Sequence, residues 1–487
     1  MLFRSKRTLF QSFHWALVLP YLCYMKIEQI YTGCLAQGAY YLTSEGEAVI
    51  IDPLRETSPY LSRLKADNVD LKYILETHFH ADFVSGHLDL SRATGAPIVY
   101  GPNASPAFDF YAAKDGGEIT FGSCRIKVLH TPGHTMESTC YLVMDETGKE
   151  SALFSGDTLF IGDVGRPDLA QKAASMTQEQ LAGTLYDSLR NKILPLSDDI
   201  LVYPAHGAGS ACGKNMSKET FDSLGNQKRT NYALRADMSK EDFIREVTDG
   251  LLPPPAYFGQ NVAMNKLGYT PFDEVMSNGL TPLNAEALEK REEDVLLLDT
   301  RPAGEFSQGF IPESIFIGLE GQFAPWVGAL IPSVDQKIIL ITPPGKEEET
   351  VRRLSRVGYD NVLGYLEGGI QAWNGSLDRI DRLEAQEVEG GLSSNEILMD
   401  VRKPGEYEAD HITGVPNVPL DFINDHMGEF PRDKELVLHC AGGYRSMIAA
   451  SILKARGFQN VKDVIGGFGA LSKTTLPLVS QACSRSN

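Results

Sequence analysis

The sequence predicts an α/β protein with one large layered domain followed by two smaller parallel α/β domains. Its 487 residues are about three times the ~150 that one domain usually occupies, so two to four domains are expected. Between residues 25 and 250, short apolar runs alternate with turns and helical stretches, as in layered α/β folds. The remainder contains an internal repeat, in which Asp299 and Asp400 stand 101 positions apart. Each copy is long enough for one small domain.

Composition places the chain among folded proteins without nucleic-acid or membrane partners. Hydrophobic residues make up 43% and charged residues 22% of the sequence, near the averages for globular domains. A net charge of −19 repels phosphate backbones. The seven cysteines include no Cys-x-x-Cys pair, which argues against a disulfide framework. We therefore expect a protein of the reducing cytoplasm.

The first residues have the order of a signal peptide, since a basic start precedes an apolar stretch at residues 15–24. The stretch is too short to cross a bilayer. Pro20 interrupts it, and a second methionine, Met25, follows directly. Residues 1–24 are expected to be either a translated upstream extension, which these features favour, or a targeting segment.

Proline and the internal repeat divide the rest of the chain. Three consecutive prolines at 253–255 cannot lie inside a helix or a central strand, so the first domain is expected to span residues 25–255. The two repeats are expected at 272–380 and 388–475. An acidic, Gly-ended stretch at 378–391 is the expected linker between them.

Histidines are concentrated in the first domain. Six of the ten lie between positions 78 and 206: His78, His80, His87, His130, His134 and His206. Four turn motifs follow apolar runs, and these are THFHAD at 77–82, TPGHT at 131–135, SGDT at 155–158 and YPAHG at 203–207. A lone loop histidine is usually a hydrogen-bonded residue without further function, whereas an ordered set of four such motifs predicts a metal site.

These motifs resemble those of the metallo-β-lactamase superfamily over about residues 26–255, and the resemblance implies a four-layer αβ/βα sandwich. Two-metal hydrolases of that superfamily, such as glyoxalase II, carry a further histidine where this chain has Phe83. A phenyl ring has no lone pair for a metal, so the second metal site lacks a ligand. One metal per chain is therefore expected.

The one-metal branch of the superfamily is the persulfide dioxygenases. Resemblance to this branch implies one Fe(II) per chain, held by His78, His134 and Asp157. Two histidines and one carboxylate leave open positions on iron for a persulfide sulfur and O₂.

Five further side chains have expected supporting roles. His80, Asp82 and His206 would orient ligands and waters, although His80 as a fourth direct ligand stays open. Arg166, in a stretch that resembles the same branch, would either act at the substrate or form a structural ion pair with an aspartate. Lys214 ends a Gly-rich loop whose N–H groups and cation suit an anionic thiol carrier.

A second chemical site is predicted in the last repeat. Cys440 follows an apolar strand and precedes a helical run, so unpaired N–H groups and the positive helix end surround it. The loop resembles that of the rhodaneses, and the resemblance implies Cys440 and Arg445 as catalytic residues. Related phosphatases need five residues between the cysteine and the arginine, whereas four stand here, which favours sulfur transfer. The alternative is a buried, inert cysteine.

The corresponding loop of the first repeat reads ITPPGKE at 341–347. It contains neither the cysteine nor the arginine, and Pro343 and Pro344 remove two N–H donors that would hold an anion. The first repeat is therefore expected to be a degenerate rhodanese domain, retained for packing or spacing.

Taken together, the three domains resemble the bacterial persulfide dioxygenase–rhodanese fusions of the multidomain CstB type. The resemblance implies that O₂ oxidises a persulfide of glutathione, coenzyme A or a similar small thiol to sulfite, and that Cys440 moves sulfur among persulfide, sulfite and thiosulfate. A role in sulfide detoxification and a homo-oligomeric state are also expected. Two other functions stay open: a zinc-dependent, glyoxalase II-like thioester hydrolase, and a non-catalytic sulfur-binding or sensing protein.

Overall fold

The structure is a computed structural model that describes residues 25–480. The predicted extension or targeting segment, residues 1–24, lies outside the described residues. Within 25–480, no helix combines the length and the apolar character needed to cross a membrane.

Two six-stranded sheets face each other in the first domain. In spatial order, the first consists of Lys26–Thr32, Gln37–Ser44, Glu47–Ile51, Asp70–Leu75, Ile98–Tyr100 and Tyr111–Ala112. The second consists of Asp222–Ser223, Leu201–Pro204, Glu150–Gly156, Thr139–Met144, Cys124–His130 and Glu118–Phe121. The middle strands Gln37–Ser44, Glu47–Ile51, Thr139–Met144 and Glu150–Gly156 are buried at most positions because both faces of each sheet are covered. The core between the sheets includes Tyr40, Val49, Leu75, Ile126, Tyr141 and Phe154.

Helices cover the outer face of each sheet. Ser58–Asp67 and His87–Thr94 pack on the first sheet, and Gln178–Ser188 and Lys240–Thr248 pack on the second. The shorter helices are Gln171–Ala174, Leu189–Ile193, Leu224–Thr230 and Tyr232–Leu234. This layering confirms the αβ/βα sandwich implied by the sequence motifs.

The first repeat contains a five-stranded parallel sheet. Its spatial order is Pro282–Leu283, Val362–Leu366, Ile338–Ile341, Leu296–Asp299 and Ile315–Phe316. The helices of the connecting segment and of this repeat are Phe258–Leu267, Phe272–Gly279, Ala285–Glu289, Ala303–Gln308, Phe323–Leu330, Glu347–Ser355 and Gly369–Ala372. The repeat is thus a small parallel α/β domain, as predicted.

The second repeat contains four parallel strands in the order Asp381–Leu383, Val461–Val464, Glu435–His439 and Glu396–Asp400. Strands Asp410–Ile412 and Leu478–Ser480 form a separate antiparallel pair. The helices are Ala385–Glu389, Pro404–Ala409, Leu420–Phe422, Met427–Glu429, Tyr444–Ala455 and Gly467–Leu471. The stretch 378–391 differs from the expected linker, because it supplies an edge strand and a helix to this domain.

Buried ion pairs join the first domain to the first repeat. The fully buried side chain of Arg55 donates to Asp360 Oδ2 at 2.8 Å and lies over the Tyr269 ring at 4.0 Å. Arg356 Nε donates to both carboxylate oxygens of Glu56, at 3.0 and 3.1 Å. Since a buried charge is tolerated only when it is paired, these contacts favour one arrangement of the two domains.

The two repeats contact each other through the helix that follows Cys440. The Tyr444 hydroxyl donates to the Gly318 carbonyl at 2.6 Å, and a Cβ on Gly321 would lie 2.5 Å from the Tyr444 ring. Further along the helix, Ser451 Oγ accepts a hydrogen bond from the Phe316 N–H at 2.9 Å. The first repeat therefore packs directly on the catalytic loop predicted in the second.

Replacing Asp360 with Ala should leave the Arg55 guanidinium buried without its counter-charge. We expect a loss of about 3 kcal/mol of stability, the cost of breaking a buried ion pair from one side, and a lower melting temperature in scanning calorimetry. Asp335→Ala, at an exposed position of the same repeat, is the control. Equal melting temperatures for the two variants would contradict a stabilising role for this pair.

Candidate functional site

Four turns bring polar side chains to one edge of the sandwich. Each predicted residue follows a strand: His78 after Asp70–Leu75, His134 after Cys124–His130, Asp157 after Glu150–Gly156, and His206 after Leu201–Pro204. The strand before Asp157 and the strand before His206 pair in parallel, so their carboxyl ends meet at the same edge. Functional groups are commonly placed at such an edge.

The group His78, His134 and Asp157 is close enough to share one metal ion. One ligand atom from each residue lies within 4.8 Å of the other two. Asp157 Oδ2 is 3.4 Å from His134 Nε2 and 3.9 Å from His78 Nε2. All three side chains are buried. The structure thus brings together the three ligands that the family resemblance implied.

Hydrogen bonds determine which ring nitrogen of each histidine faces the shared centre. His134 Nδ1 lies 2.8 Å from the Arg166 carbonyl oxygen, so Nδ1 carries the proton and donates it. His78 Nδ1 lies 3.0 Å from Thr77 Oγ1, and that hydroxyl donates to Asp52 Oδ2 at 2.8 Å. Nδ1 of His78 is then also the donor. Both Nε2 atoms therefore keep a lone pair for a metal.

The sequence patterns did not single out Thr77 or Asp52 as site residues. Asp52 has a φ of +49°, a left-handed conformation that residues other than glycine rarely adopt and that is often found at functional sites. The Gln37 side chain donates to the Asp52 carbonyl at 2.9 Å. The available signal was an acidic residue directly after the apolar strand Glu47–Ile51.

Burial sets the protonation states of this group. It lowers the pKa of His134 to about 4 and that of His78 well below its ordinary value, and it raises the pKa of Asp157 to about 6. At neutral pH the group is therefore two neutral imidazoles and one carboxylate. Among residues 25–480, neither oxygen of Asp157 accepts a hydrogen bond from an N–H or O–H group, which is costly for a buried charge. These residues fit a divalent cation, which would neutralise that charge.

His80 faces two acidic side chains rather than this group. Its Nε2 lies 3.1 Å from Asp52 Oδ1 and 3.6 Å from Glu76 Oε2. Burial alone would lower the pKa of His80, but the two carboxylates raise it to about 9. A protonated imidazole has no lone pair for a metal. His80 also has a ring nitrogen within 4.8 Å of ligand atoms of Asp82 and His206, so the orienting role and direct metal binding both remain predictions.

Asp82 and His206 complete the other side of the site. His206 Nε2 lies 3.5 Å from Asp82 Oδ1 and 3.6 Å from Asp157 Oδ1. Burial raises the pKa of Asp82 to about 6. The fully buried ring of Phe83 lies 6.4 Å from the His206 ring. Cys212, which the sequence motifs did not indicate, also has its sulfur within ligand distance of Asp157 and His206.

Arg166 forms the structural ion pair that was one of its two predicted roles. Its guanidinium binds Asp168 through two hydrogen bonds, of 2.6 and 2.7 Å, and donates to the Leu252 carbonyl at 2.6 Å. Its own backbone carbonyl accepts the hydrogen bond from His134. Arg166 thus supports the site through its main chain, and contact with substrate remains a prediction.

Lys214 lies at the carboxyl end of helix Lys240–Thr248. Its ammonium donates to the carbonyls of Glu246 and Asp249 at 2.5 and 2.7 Å, a favourable place for a cation. Lys214 and Arg166 both line a cavity of about 840 Å³. Binding of a thiol carrier by Lys214 remains a prediction.

The loop that carries the histidines is held by elements outside the first domain's sheets. Asn265 Nδ2 donates to the carbonyls of His80 and Phe83, both at 2.8 Å. The Val84 N–H donates to the carbonyl of Arg356 in the first repeat, also at 2.8 Å. The loop that carries His78 and His80 therefore takes part of its backbone hydrogen bonding from the first repeat.

Cys440 lies on the predicted strand-to-helix turn of the last repeat. Its sulfur accepts a hydrogen bond from the Gly443 N–H at 3.1 Å, and Ser446 Oγ, whose proton is donated to Asp463 Oδ1 at 2.6 Å, lies 3.5 Å from it. A Cβ on Gly467, at φ +53°, would lie 2.3 Å from the Cys440 carbonyl oxygen. This close approach explains why glycine occurs at position 467.

Arg445 reaches the same loop but is already paired. Its guanidinium donates to both carboxylate oxygens of Glu406, at 2.5 and 2.7 Å, and this pairing lowers the pKa of Glu406. Both side chains line a cavity of about 340 Å³ that opens onto Cys440. Glu406 was visible in the sequence only as a residue repeated in both copies.

Residues 341–347 of the first repeat, which correspond to the Cys440 loop and are called the silent loop below, have a further feature that disfavours anion binding. The Gly345 N–H donates to Glu347 Oε1 at 3.1 Å, and helix Glu347–Ser355 begins with three glutamates. Negative charge therefore occupies the helix end at which an anion would bind. This geometry agrees with the expected degenerate domain.

Comparisons with known proteins match the three domains in order. Residues 32–206 match the Metallo-beta-lactamase superfamily, and residues 283–376 and 384–474 match the Rhodanese-like domain. The chain is 32% identical over 211 residues to "Persulfide dioxygenase ETHE1, mitochondrial" of Homo sapiens, covering 43% of this chain and 74% of that protein. It is 38% identical over 169 residues to a hydroxyacylglutathione hydrolase of Francisella philomiragia, covering 34% and 61% respectively. A solved metallo-beta-lactamase structure from Staphylococcus aureus shares 30% identity at a TM-score of 0.62, over 70% of this chain and 98% of that one.

Replacing Thr77 with Val should weaken metal binding about 10- to 100-fold, a range typical when a group that orients a metal ligand is lost. The substitution keeps the shape but removes the hydroxyl between His78 and Asp52. The measurement is a competition titration with a metal chelator. Thr184→Val, on an outer helix, is the matched control and should bind metal normally. Unchanged affinity in Thr77→Val would show that the hydroxyl does not orient His78.

Introducing a thiol at the silent position, as Thr342→Cys in a Cys440→Ser background, should not restore sulfur loading. Pro343 and Pro344 supply no N–H donors, and Glu347 occupies the helix end. Mass spectrometry after incubation with thiosulfate would detect a persulfide adduct, and the unmodified chain serves as the positive control. An adduct at position 342 as abundant as that on Cys440 would contradict this explanation of the silent loop.

Proposed function

This chain belongs to the metallo-beta-lactamase superfamily, as a persulfide dioxygenase–rhodanese fusion, and we propose that it oxidises thiol persulfides with O₂ at one Fe(II) ion. Its place in sulfur metabolism and its need for a metal follow from the family. The observation that carries the finer proposal is the buried group His78, His134 and Asp157, together with Phe83, which packs on His80 and His206 without offering a further ligand.

The choice of iron rests on the donor set. Two imidazoles and one carboxylate on one side of an ion are typical of non-haem Fe(II) oxygenases. Bound Fe(II) would supply the open coordination positions and the electron transfer that bring O₂ and a persulfide sulfur together. Zinc hydrolysis needs no such set of vacancies. Asp157 balances part of the ion's charge, and the hydrogen bonds on Nδ1 keep His78 and His134 aimed at it.

The oxidation step balances as RSSH + O₂ + H₂O → RSH + SO₃²⁻ + 2H⁺. The S–S bond breaks, the outer sulfur loses electrons to O₂, and the carrier leaves as a thiol. Two protons must leave the site. Asp82, whose pKa burial raises to about 6, lies next to His206, which is next to Asp157. Asp82 is therefore placed to accept a proton, and His206, whose pKa burial lowers, is placed to hold the water that the reaction consumes.

The sulfur-transfer step belongs to Cys440. The Cys440 thiolate attacks the outer sulfur of a persulfide, so that Cys–S⁻ + RSSH → Cys–S–S⁻ + RSH. Sulfite then takes the outer sulfur, as Cys–S–S⁻ + SO₃²⁻ → Cys–S⁻ + S₂O₃²⁻. The Gly443 N–H, which donates to the sulfur at 3.1 Å, stabilises the anion in both states.

Glutathione or coenzyme A is the carrier thiol that we propose, and the cavity of about 840 Å³ beside Arg166 and Lys214 has room for such a molecule. A cytoplasmic location is supported by free thiols at all five described cysteines, since a reducing compartment keeps thiols free. The role in sulfide detoxification belongs to the same proposal. The homo-oligomeric state stays a prediction.

A zinc-dependent thioester hydrolase is the second candidate function. It is favoured by the likeness to a hydroxyacylglutathione hydrolase and by the presence of Asp82 and His206 beside Asp157. Phe83 argues against it, because a second metal would lack a ligand. Hydrolysis of S-lactoylglutathione without O₂ uptake would support this function in place of the dioxygenase.

Substitutions at Cys440 and at Asp157 should each abolish one activity and leave the other. Cys440→Ser should abolish sulfur transfer from thiosulfate to cyanide but leave persulfide-dependent O₂ uptake and sulfite release nearly intact, because Cys440 lies outside the metal-binding group. Asp157→Ala should do the reverse, since neutral ligands alone leave the cation's charge unbalanced. An oxygen electrode and a thiocyanate assay measure the two activities. Loss of O₂ uptake in a folded Cys440→Ser chain would contradict this division of labour.

A further inference from the structure

Two cavities at the junction of the three domains share one wall. The cavity of about 340 Å³ opens onto Cys440, and a second cavity, of about 110 Å³, reaches Asp82 beside the metal-binding group. Gln322, Trp326 and Lys403 line both cavities. A small molecule that leaves the metal site would therefore meet the same three side chains as one that approaches Cys440.

The first repeat, called the silent repeat below because it lacks the cysteine, supplies two of these three side chains and holds them in place. Trp326 lies on helix Phe323–Leu330 and Gln322 directly precedes it. The segment before this helix is fixed by Arg353, which donates to the carbonyls of Leu319 and Gly321 at 2.7 and 3.1 Å. Together with the contacts of Gly318 and Gly321 to Tyr444, these bonds seat the silent repeat on the Cys440 loop.

The third side chain, Lys403, is less neutralised than Arg445, the other cation that lines the Cys440 cavity. Arg445 is bound through two hydrogen bonds to Glu406. Lys403 Nζ, in contrast, is 3.8 Å from its nearest acidic atom, Asp421 Oδ1, and its side chain is about half exposed. A positive charge that faces a cavity attracts small anions. Because Asp82, Asp421 and Glu406 also line the two cavities, entry of an anion depends on Lys403.

We propose that this shared wall forms one cleft in which sulfite passes from the metal site to persulfidated Cys440 without equilibrating with the solvent. The inference rests on the proposed function. Sulfite is a dianion with oxygen acceptors, so the Lys403 ammonium, the Gln322 amide and the Trp326 indole N–H are suitable donors. Two persulfides are consumed for each thiosulfate, as 2RSSH + O₂ + H₂O → 2RSH + S₂O₃²⁻ + 2H⁺. The silent repeat is thus a part of the transfer path that has no nucleophile of its own.

The test follows the origin of the sulfite. The intact chain receives unlabelled glutathione persulfide and O₂ in the presence of added ³⁴S-sulfite, and mass spectrometry measures ³⁴S in the sulfonate sulfur of the first thiosulfate formed. Passage through the cleft should give a labelled fraction several-fold below that of the sulfite in solution. Because this fraction is a ratio within one product, it does not depend on the rate of either site.

A mixture of full-length Asp157→Ala and Cys440→Ser chains is the matched control. In the mixture all sulfite must cross the solvent, so the labelled fraction should equal that of the solution. Lys403→Met should raise the fraction of the intact chain toward this value, and Lys403→Arg should keep it low. A fraction equal to that of the solution in the unmodified chain, or an unchanged low fraction in Lys403→Met, would overturn the proposal.

A binding measurement separates this proposal from the proposed function. Sulfite is titrated by calorimetry into the metal-free Cys440→Ser chain, which cannot turn over. Binding is expected, and Lys403→Met should weaken it about tenfold, the effect of one charge-assisted hydrogen bond. Failure of the chain to bind sulfite would overturn the cleft but leave O₂ uptake untouched. Absence of O₂ uptake in the loaded enzyme would overturn the proposed function, whatever the calorimetry shows.

Discussion

The structure depends most on one buried carboxylate, that of Asp157. Among residues 25–480, no N–H or O–H group donates a hydrogen bond to it. A buried charge without a partner costs several kcal/mol, and the pKa raised to about 6 expresses the same cost. Neutral imidazoles cannot remove it, but they can share a cation with the carboxylate. The sandwich makes this arrangement possible because strands from both sheets end at one edge, where each turn contributes a single ligand.

The surrounding residues determine which histidines can bind a cation next to Asp157. Asp52, held in a left-handed conformation, receives the Thr77 hydroxyl and faces His80, so one carboxylate influences the orientation of two histidines. Phe83 fills space next to His206 without offering a lone pair. The number of possible metal ligands is thus smaller than the number of histidines. It depends on which imidazoles are neutral and have a ring nitrogen directed at Asp157.

The repeat without a nucleophile has contacts that explain its retention. Its Arg356 carbonyl accepts a hydrogen bond from the loop that carries His78 and His80, its Asp360 neutralises Arg55, and its Gly318 carbonyl accepts a hydrogen bond from the Tyr444 hydroxyl. One domain therefore touches both chemical sites. Its loss of catalytic residues is compatible with function because these contacts use the backbone and a few charges, and none of them requires an anion-binding loop.

The motifs were readable because each functional residue follows an apolar strand, and strand ends can be located from the sequence. The internal repeat likewise allowed both small domains to be predicted from the sequence. The residues that escaped prediction act across long separations: Asp52 on Thr77, Glu406 on Arg445, and Trp326 against the Cys440 loop. No local pattern marks such pairs. The acidic stretch 378–391 was misjudged as a linker because a three-residue edge strand, Asp381–Leu383, has too few residues to show an alternating pattern.

The central claim, that one iron ion is held by His78, His134 and Asp157, is tested most directly by metal analysis of the anaerobically purified chain. We predict one iron per chain, lost in Asp157→Ala, and O₂ uptake that scales with iron content when several persulfides are compared. Two tightly bound zinc ions per chain, with no persulfide-dependent O₂ uptake, would contradict the account.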